Sequence, residues 1–243
     1  MQGLITCARY AYSPNQLGYC GPDKNNNLQE YISSNVQDAG LKEILVDFQT
    51  LKPYLTFISQ ANRIPDAFNQ RVVEAYWIGN SLLQNISAND FYRYLNDGLS
   101  LPKKLNRKSL NYLYDKLPLG AKPHHSFHVL NIFRRTGHLS IEHTVETMDN
   151  CCINWGRVMK IKPSRLLVQY RPLVLEQGKL AKGDFCQKEI SHLMNCQSAP
   201  SKLEEGNLVT FHWNAVCEKI DPIQTRNLDF YTKQAIDLAN LTL

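Results

Sequence analysis

The sequence predicts an α+β chain, with a helical first half followed by a small antiparallel β-barrel and a terminal helix. Three observations carry this. Apolar residues recur at i, i+3 and i+4 from Leu28 to about Leu99. From Asn154 onward, short apolar runs alternate with turns bearing Gly, Pro and Ser. After Pro222 the helical spacing returns. A boundary near 140–150 divides a mainly helical domain over 1–140 from a β-rich domain over 151–243.

The first 27 residues are rich in Tyr, Asn, Gly and Pro and read as irregular chain. Leu28, Tyr31 and Ile32 open the helical pattern, and Leu41, Ile44, Leu45 and Phe48 continue it. Pro53 stands at the start of the next stretch, with Tyr54, Leu55, Phe57 and Ile58. Asp66 supplies an N-cap for a helix carrying Phe68, Val72, Val73, Tyr76 and Trp77. Ser87 and Asp90 form a capping pair ahead of Phe91–Leu95. Arg71, Glu74 and Trp77 near Asn80 share a helical face and read as an ion pair against the core. The segment PHHSFHVLNIF reads as strand or loop, broken by Gly137 and Ser140. Strands are expected in NWGRVMKI, RLLVQYRPLVL, QKEISHLM and LVTFHWNAVCEKI, with turns at KPS, EQGKLAKGD and SAPSKLEEGN between them. Ile223, Leu228, Tyr231, Ala235, Ile236 and Leu238 form the apolar stripe of the last helix.

Composition excludes several classes. With 243 residues, 43% hydrophobic and 20% charged, the chain has the balance of a globular protein. It contains no run near the roughly 18 apolar residues that cross a membrane and no basic-then-apolar leader, so a cytoplasmic protein without membrane attachment is expected. The net charge of +5 is dispersed, with small groups at Lys103, Lys104, Arg107, Lys108 and at Arg134, Arg135. No nucleic-acid partner is expected from so thin a basic pattern. Gly-rich nucleotide loops, a Ser-His-Asp signature and H-E-x-x-H are all absent.

Seven cysteines, at 7, 20, 151, 152, 186, 196 and 217, are odd in number, and two of them are adjacent. They read as thiols, and without a C-x-x-C pair they write no conventional structural zinc site. His124, His125 and His128 cluster in KPHHSFHV, and Cys20 sits in a Gly-Tyr-Cys-Gly-Pro turn. On a strand, His124 and His128 share a face. These four are candidate catalytic or metal-contacting residues of the N-terminal half.

The C-terminal part carries two further motifs. Cys151-Cys152-Ile153-Asn154-Trp155-Gly156-Arg157-Val158 places a glycine five residues past a cysteine, ahead of a strand. Gly206-Asn207-Leu208-Val209-Thr210-Phe211-His212 is followed without a gap by an apolar stretch ending Glu218-Lys219-Ile220-Asp221. With both motifs in this order, residues from about 151 to 240 resemble the HypC/HupF-type chaperones of [NiFe]-hydrogenase maturation. Trp155 stands where that family has proline, Asn207 where it has aspartate, the insert around Cys196–Lys202 is longer, and Cys151 is internal. The whole chain, through ARYAYSPNQLGYCGP, RVVEAYWIGN, PHHSFHV and DNCCINWGRV, also resembles an uncharacterised bacterial family.

The HypC-type resemblance implies an OB-like barrel and a metallocentre-maturation chaperone rather than an enzyme. Cys151 and His212 are then metal ligands for an iron carrying CO and CN, handled with a HypD-like partner or a hydrogenase large subunit. A thiolate and an imidazole suit low-spin iron whose other positions are taken by diatomics and a partner. Two alternatives remain open at this point. One is an enzyme with its site around Cys20 and His124–His128, using the barrel for docking. The other is a metal-free protein–protein adaptor.

Overall fold

The computed structural model describes residues 3–22, 27–133, 144–192 and 203–243. Its first helix falls where the sequence suggests irregular chain. Helix α1 (Gly3–Gln16) buries Ile5, Cys7, Ala8, Tyr10 and Ala11. Tertiary packing overrides the local Tyr, Asn and Pro content, because these small and aromatic residues fit against the helix over Gln70–Trp77. A Cβ on Gly3 would lie 1.8 Å from the Phe68 carbonyl oxygen, so only glycine permits this approach.

The helical half otherwise follows its periodicity: α2 (Asn27–Ser34), α3 (Ala39–Val46), α4 (Leu51–Ala61), α5 (Gln70–Trp77), α6 (Ala88–Arg93) and α7 (Arg107–Tyr114). Side chains of Asp38, Asn69, Ser87 and Asn106 accept backbone N–H groups at the N-caps of α3, α5, α6 and α7. Asn69, not Asp66, caps α5; the Asp66 carboxylate accepts the Phe68 N–H in the turn before it. Glu74 is held by the amides of Asn80 and Gln224, which donate to its two oxygens.

The segment expected as strand or loop is helical: α8 (His125–Phe127) runs into a π turn over His128–Phe133. His124 caps it by accepting the Ser126 N–H, a local signal that aromatic and β-branched content conceals. The predicted boundary near 140–150 falls partly on 134–143, so Arg134, Arg135, Gly137 and Ser140 lie outside the described residues. Cys196 and the insert through Lys202 lie outside them too. Helix α9 (Val145–Cys151), capped by Thr144, leads into the strands.

Five strands make a mainly antiparallel sheet: β1 (Asn154–Ile161), β2 (Arg165–Tyr170), β5 (Cys186–Ser191), β6 (Leu208–His212) and β7 (Ala215–Lys219). Their order is β5–β2–β1–β6–β7, and the two outer strands touch at one parallel pair, Ser191 with Ala215. The run RLLVQYRPLVL breaks at Arg171–Pro172, where proline removes a ladder donor. Its second part becomes β3 (Leu173–Glu176), paired in a separate hairpin with β4 (Lys179–Lys182). β4 falls inside EQGKLAKGD, which reads as a turn; only Gln177 and Gly178, both at positive φ, form the hairpin loop. LVTFHWNAVCEKI likewise folds back at Trp213 and Asn214, with φ of 46° and 60°. Helix α10 (Pro222–Asn240) starts at a complete capping box of Asp221 and Gln224. No helix among the described residues is long and apolar enough to cross a membrane.

A smaller core of Val158, Leu166, Val168, Tyr170, Ile190, Val209 and Phe211 fills the concave side of the sheet. The larger core contains residues of α1, α4, α5 and α10 together with Ile153 and Cys217. Across the junction, the Tyr10 hydroxyl donates to Glu218 Oε1 at 2.7 Å and lies 2.9 Å from Thr210 Oγ1. Burial raises the Glu218 carboxyl pKa, and the Tyr10 hydrogen bond opposes that rise. Tyr10→Phe is therefore expected to destabilise the protein by about 1–3 kcal/mol. An unchanged urea midpoint for that variant would show that the network contributes nothing.

Candidate metal centre

Cys151 is the last residue of α9, and its position is fixed by the residues around it. Asp149, two residues earlier in the chain, accepts the Leu173 N–H at 2.7 Å and the Tyr170 hydroxyl at 3.2 Å. The Asn154 amide donates to the Asp149 carbonyl at 2.7 Å. These bonds pin the end of α9 to the strands. Cys152 turns the chain into extended conformation and is buried among apolar neighbours.

His212 ends β6 and is 2% exposed. Its Nδ1 lies 2.7 Å from the Tyr10 carbonyl oxygen. A carbonyl only accepts, so Nδ1 carries the proton and Nε2 presents a lone pair. That Nε2 is buried and has no hydrogen-bond partner. His125 opens α8. Its Nε2–H donates to the Cys151 carbonyl at 2.8 Å, which leaves Nδ1 to accept from the Tyr76 hydroxyl at 3.1 Å. The two imidazoles meet edge to face, with centroids 5.3 Å apart, and Trp77 flanks both. One donor atom from each of His125, Cys151 and His212 lies within 4.8 Å of the other two.

Burial controls the charge of this group. It pulls the His212 pKa down to about 4, against the Tyr10 and Cys151 carbonyls. It holds His125 well below the ordinary histidine range, and neighbouring His212 adds to the effect. Both rings are neutral near pH 7, the form that ligates metals. Burial also pushes the Cys151 thiol up to about 12, with Cys20 adding to the rise and Trp213 opposing it. The Trp213 indole N–H is the group beside the Cys151 thiol that favours a thiolate.

The trio closes the buried end of a cavity of about 880 Å³. Tyr76, Trp77, Trp213, Leu99, Val129 and Ile132 line its walls, and Tyr19–Pro22, Val46–Thr50 and Lys104 its outer margin. Tyr19 packs on Trp213 with centroids 4.5 Å apart.

A family model matches this chain from residue 1 to residue 243. The chain belongs to DUF6390, a family of unknown function. No curated protein and no solved structure matches it. The whole-chain resemblance to an uncharacterised family thus holds, and the family spans helices and strands alike.

In this DUF6390 chain the residues singled out from sequence separate into three groups. Cys151 and His212 converge, and His125 joins them. Cys20 and His128 line the same cavity, where the His128 Nδ1 lies 3.1 Å from the Tyr54 hydroxyl. The Cys20 residue is exposed overall, yet burial of its thiol pushes the pKa up to about 11. His124 stands apart: it caps α8, stacks on Tyr231 at 5.3 Å, and burial pulls it down to about 3. His124 and His128 therefore do not meet, contrary to the strand expectation, because His124 is the extended N-cap residue and packs on Tyr231 while His128 lies in the following turn beside Tyr54. Cys7, Cys152 and Cys217 are buried thiols and Cys186 is exposed.

Sequence reasoning misses Tyr76, Trp77 and Trp213 as walls and the Tyr10 carbonyl as the group that orients His212. Only Trp213 leaves a trace, as the neighbour of His212. The donor set suits a transition metal: one sulfur and two neutral imidazoles are borderline-soft ligands. A buried imidazole nitrogen without a hydrogen-bond partner is a group able to ligate a metal.

Proposed function

We propose that this protein is a metallocentre-maturation chaperone that carries an iron–diatomic centre for [NiFe]-hydrogenase assembly. The reading extends to the sheet as a HypC-like, OB-like barrel, and to a HypD-like partner or a hydrogenase large subunit as the exchange partner. The observation that carries it is the convergence of Cys151 with the free lone pair of His212 at the end of the cavity. A bare ion needs far less space than about 880 Å³, since one water occupies roughly 30 Å³ in the liquid. An iron bearing small ligands, delivered and withdrawn by another protein, suits both the volume and the modest number of donors. Cys151 would bind as thiolate, His212 through Nε2, and the Tyr10 carbonyl would hold the imidazole in register.

A second reading is an enzyme acting through Cys20, His125 and His128. It is favoured by one observation, that all three line this same cavity. His124 has no part in it.

Infrared spectroscopy tests the first reading, because CO and CN stretches fall where protein absorbs little. Protein purified anaerobically from a host co-expressing hydrogenase-maturation partners is expected to carry these bands with substoichiometric iron. Cys151→Ala abolishes them, and Cys152→Ala, at a buried packing position, leaves them in place. Absence of the bands with the partners present, or their survival in Cys151→Ala, would end the carrier reading and leave the enzyme to be tested next.

A further inference from the structure

We propose that His125 is a third protein ligand, so that His125, Cys151 and His212 form a tridentate site for a divalent transition metal with one position open to the cavity. This rests on reading Cys151 and His212 as ligands, but it requires neither the iron cargo nor a partner protein. The three residues come from α8, α9 and β6, so the site joins the helical and β-rich parts of the chain. None of the three lies close to another in sequence, which is why no local ligand spacing announces it.

The geometry supports the assignment at two levels. One ligand atom from each of the three residues lies within 4.8 Å of those of the other two. With metal–sulfur and metal–nitrogen bonds of about 2.3 and 2.0 Å, tetrahedral donors stand about 3.3–3.6 Å apart, so the trio must close by roughly an ångström. The second level is the way the imidazoles are held. Each donates its other ring N–H to a backbone carbonyl, His125 to Cys151 at 2.8 Å and His212 to Tyr10 at 2.7 Å. Histidines that ligate metals are oriented in this manner, because the outer bond fixes the tautomer and aims the free lone pair. The His212 Nε2 makes no hydrogen bond. The His125 Nδ1 lone pair accepts from the Tyr76 hydroxyl at 3.1 Å, a hydrogen bond that rotation of the phenol O–H can release.

One thiolate and two neutral imidazoles leave a divalent ion with net positive charge and a vacant fourth position. The ligand set suits Zn²⁺, for which Co²⁺ is the spectroscopic substitute. The cavity beside the trio is lined by Tyr76, Trp77 and Trp213, so water or a small anionic or π-acceptor ligand would complete the coordination there.

The test is an anaerobic titration of metal-free, full-length protein with Co²⁺ alone. One equivalent is expected to bind, with intense visible d–d bands of low coordination number and a near-ultraviolet thiolate charge-transfer band. Cys151→Ser removes the charge-transfer band. His125→Gln weakens Co²⁺ binding by more than about tenfold. Tyr76→Phe tightens it, because the hydroxyl no longer occupies the His125 lone pair. The proposal is overturned if wild type binds no Co²⁺, or if His125→Gln binds it as tightly as wild type. Should His125→Gln fail to fold, Tyr76→Phe decides: tighter binding supports the third ligand, and unchanged or weaker binding removes it. Infrared bands in a protein that binds no Co²⁺ would overturn the tridentate site and leave the carrier standing. Co²⁺ binding without such bands would do the reverse.

Discussion

Metal-free protein is expected to lose stability steeply as the pH falls from about 6.5 to about 4. His124 and His212 are held at about 3 and about 4 by burial, and His125 also lies well below its ordinary value. In the unfolded chain each returns to about 6.5. Between those limits the unfolded state binds more protons, so acid favours unfolding. The stability contributed by keeping these rings neutral is complete above the unfolded pKa and lost as the pH falls toward the folded one. Each imidazole removes up to about 1.4 kcal/mol per pH unit, roughly 3 kcal/mol for His212 and roughly 5 kcal/mol for His124. Those losses are comparable with a domain's whole stability of about 5–15 kcal/mol. Glu218, whose pKa is raised by burial, works in the opposite direction but is a single group. The measurement is a urea midpoint at intervals from pH 7 to pH 4. His124→Asn, which keeps a good N-cap and removes the imidazole, should flatten the slope. A midpoint independent of pH would mean that these rings are not buried neutral.

Gly79→Ala is expected to destabilise the protein by more than about 4 kcal/mol, the range of exceptional single substitutions. Gly79 follows α5 at φ +93°, and a Cβ there would lie 2.0 Å from Tyr231 Cδ2. The Tyr231 ring cannot simply withdraw. It stacks on His124, and its hydroxyl donates to the Asn80 carbonyl at 3.2 Å. Moving it would lift α10 from α5 and α8 together. Gly178→Ala separates strain from collision, since Gly178 also has positive φ, +78°, but nothing within 4 Å. That variant should show only the left-handed penalty of about 1–2 kcal/mol. Equal thermal shifts for the two variants would contradict the docking of α10.

Where a residue's environment is set by its neighbours in sequence, the fold is legible. β1 matches NWGRVMKI because a short run carrying Trp155, Val158 and Ile161 is closed by the turn residues Pro163 and Ser164, and α10 is announced by Asp221, Pro222 and its apolar stripe. Helix α1 is hidden because its buried face is built from Cys7, Ala8, Tyr10 and Ala11, which carry little periodic contrast. β4 is hidden because Lys179 and Lys182 make a four-residue strand look like a charged turn. The site divides in the same way. Cys151, His212 and the cluster containing His125 stand out as residues, but their meeting depends on α8 being helical and on α1 reaching β6. Both are consequences of packing between segments remote in sequence. The Tyr10 carbonyl that orients His212 is a backbone group and has no signature at all.

The bonds from α1 to the last strands have a consequence for how the chain is made. Tyr10 reaches Thr210 and Glu218 across 200 and 208 residues, and His212 reaches back to Tyr10 across 202. Contacts so distant form late, because long loops must close first. During translation the N-terminal wall emerges early, yet the third donor arrives only with β6, after the ribosome has made most of the chain. A chain that ends before β6 holds His125 and Cys151 of the proposed trio but lacks His212. If the trio binds metal as proposed, its third donor and the Tyr10 carbonyl that orients it come together only once β6 has docked on α1.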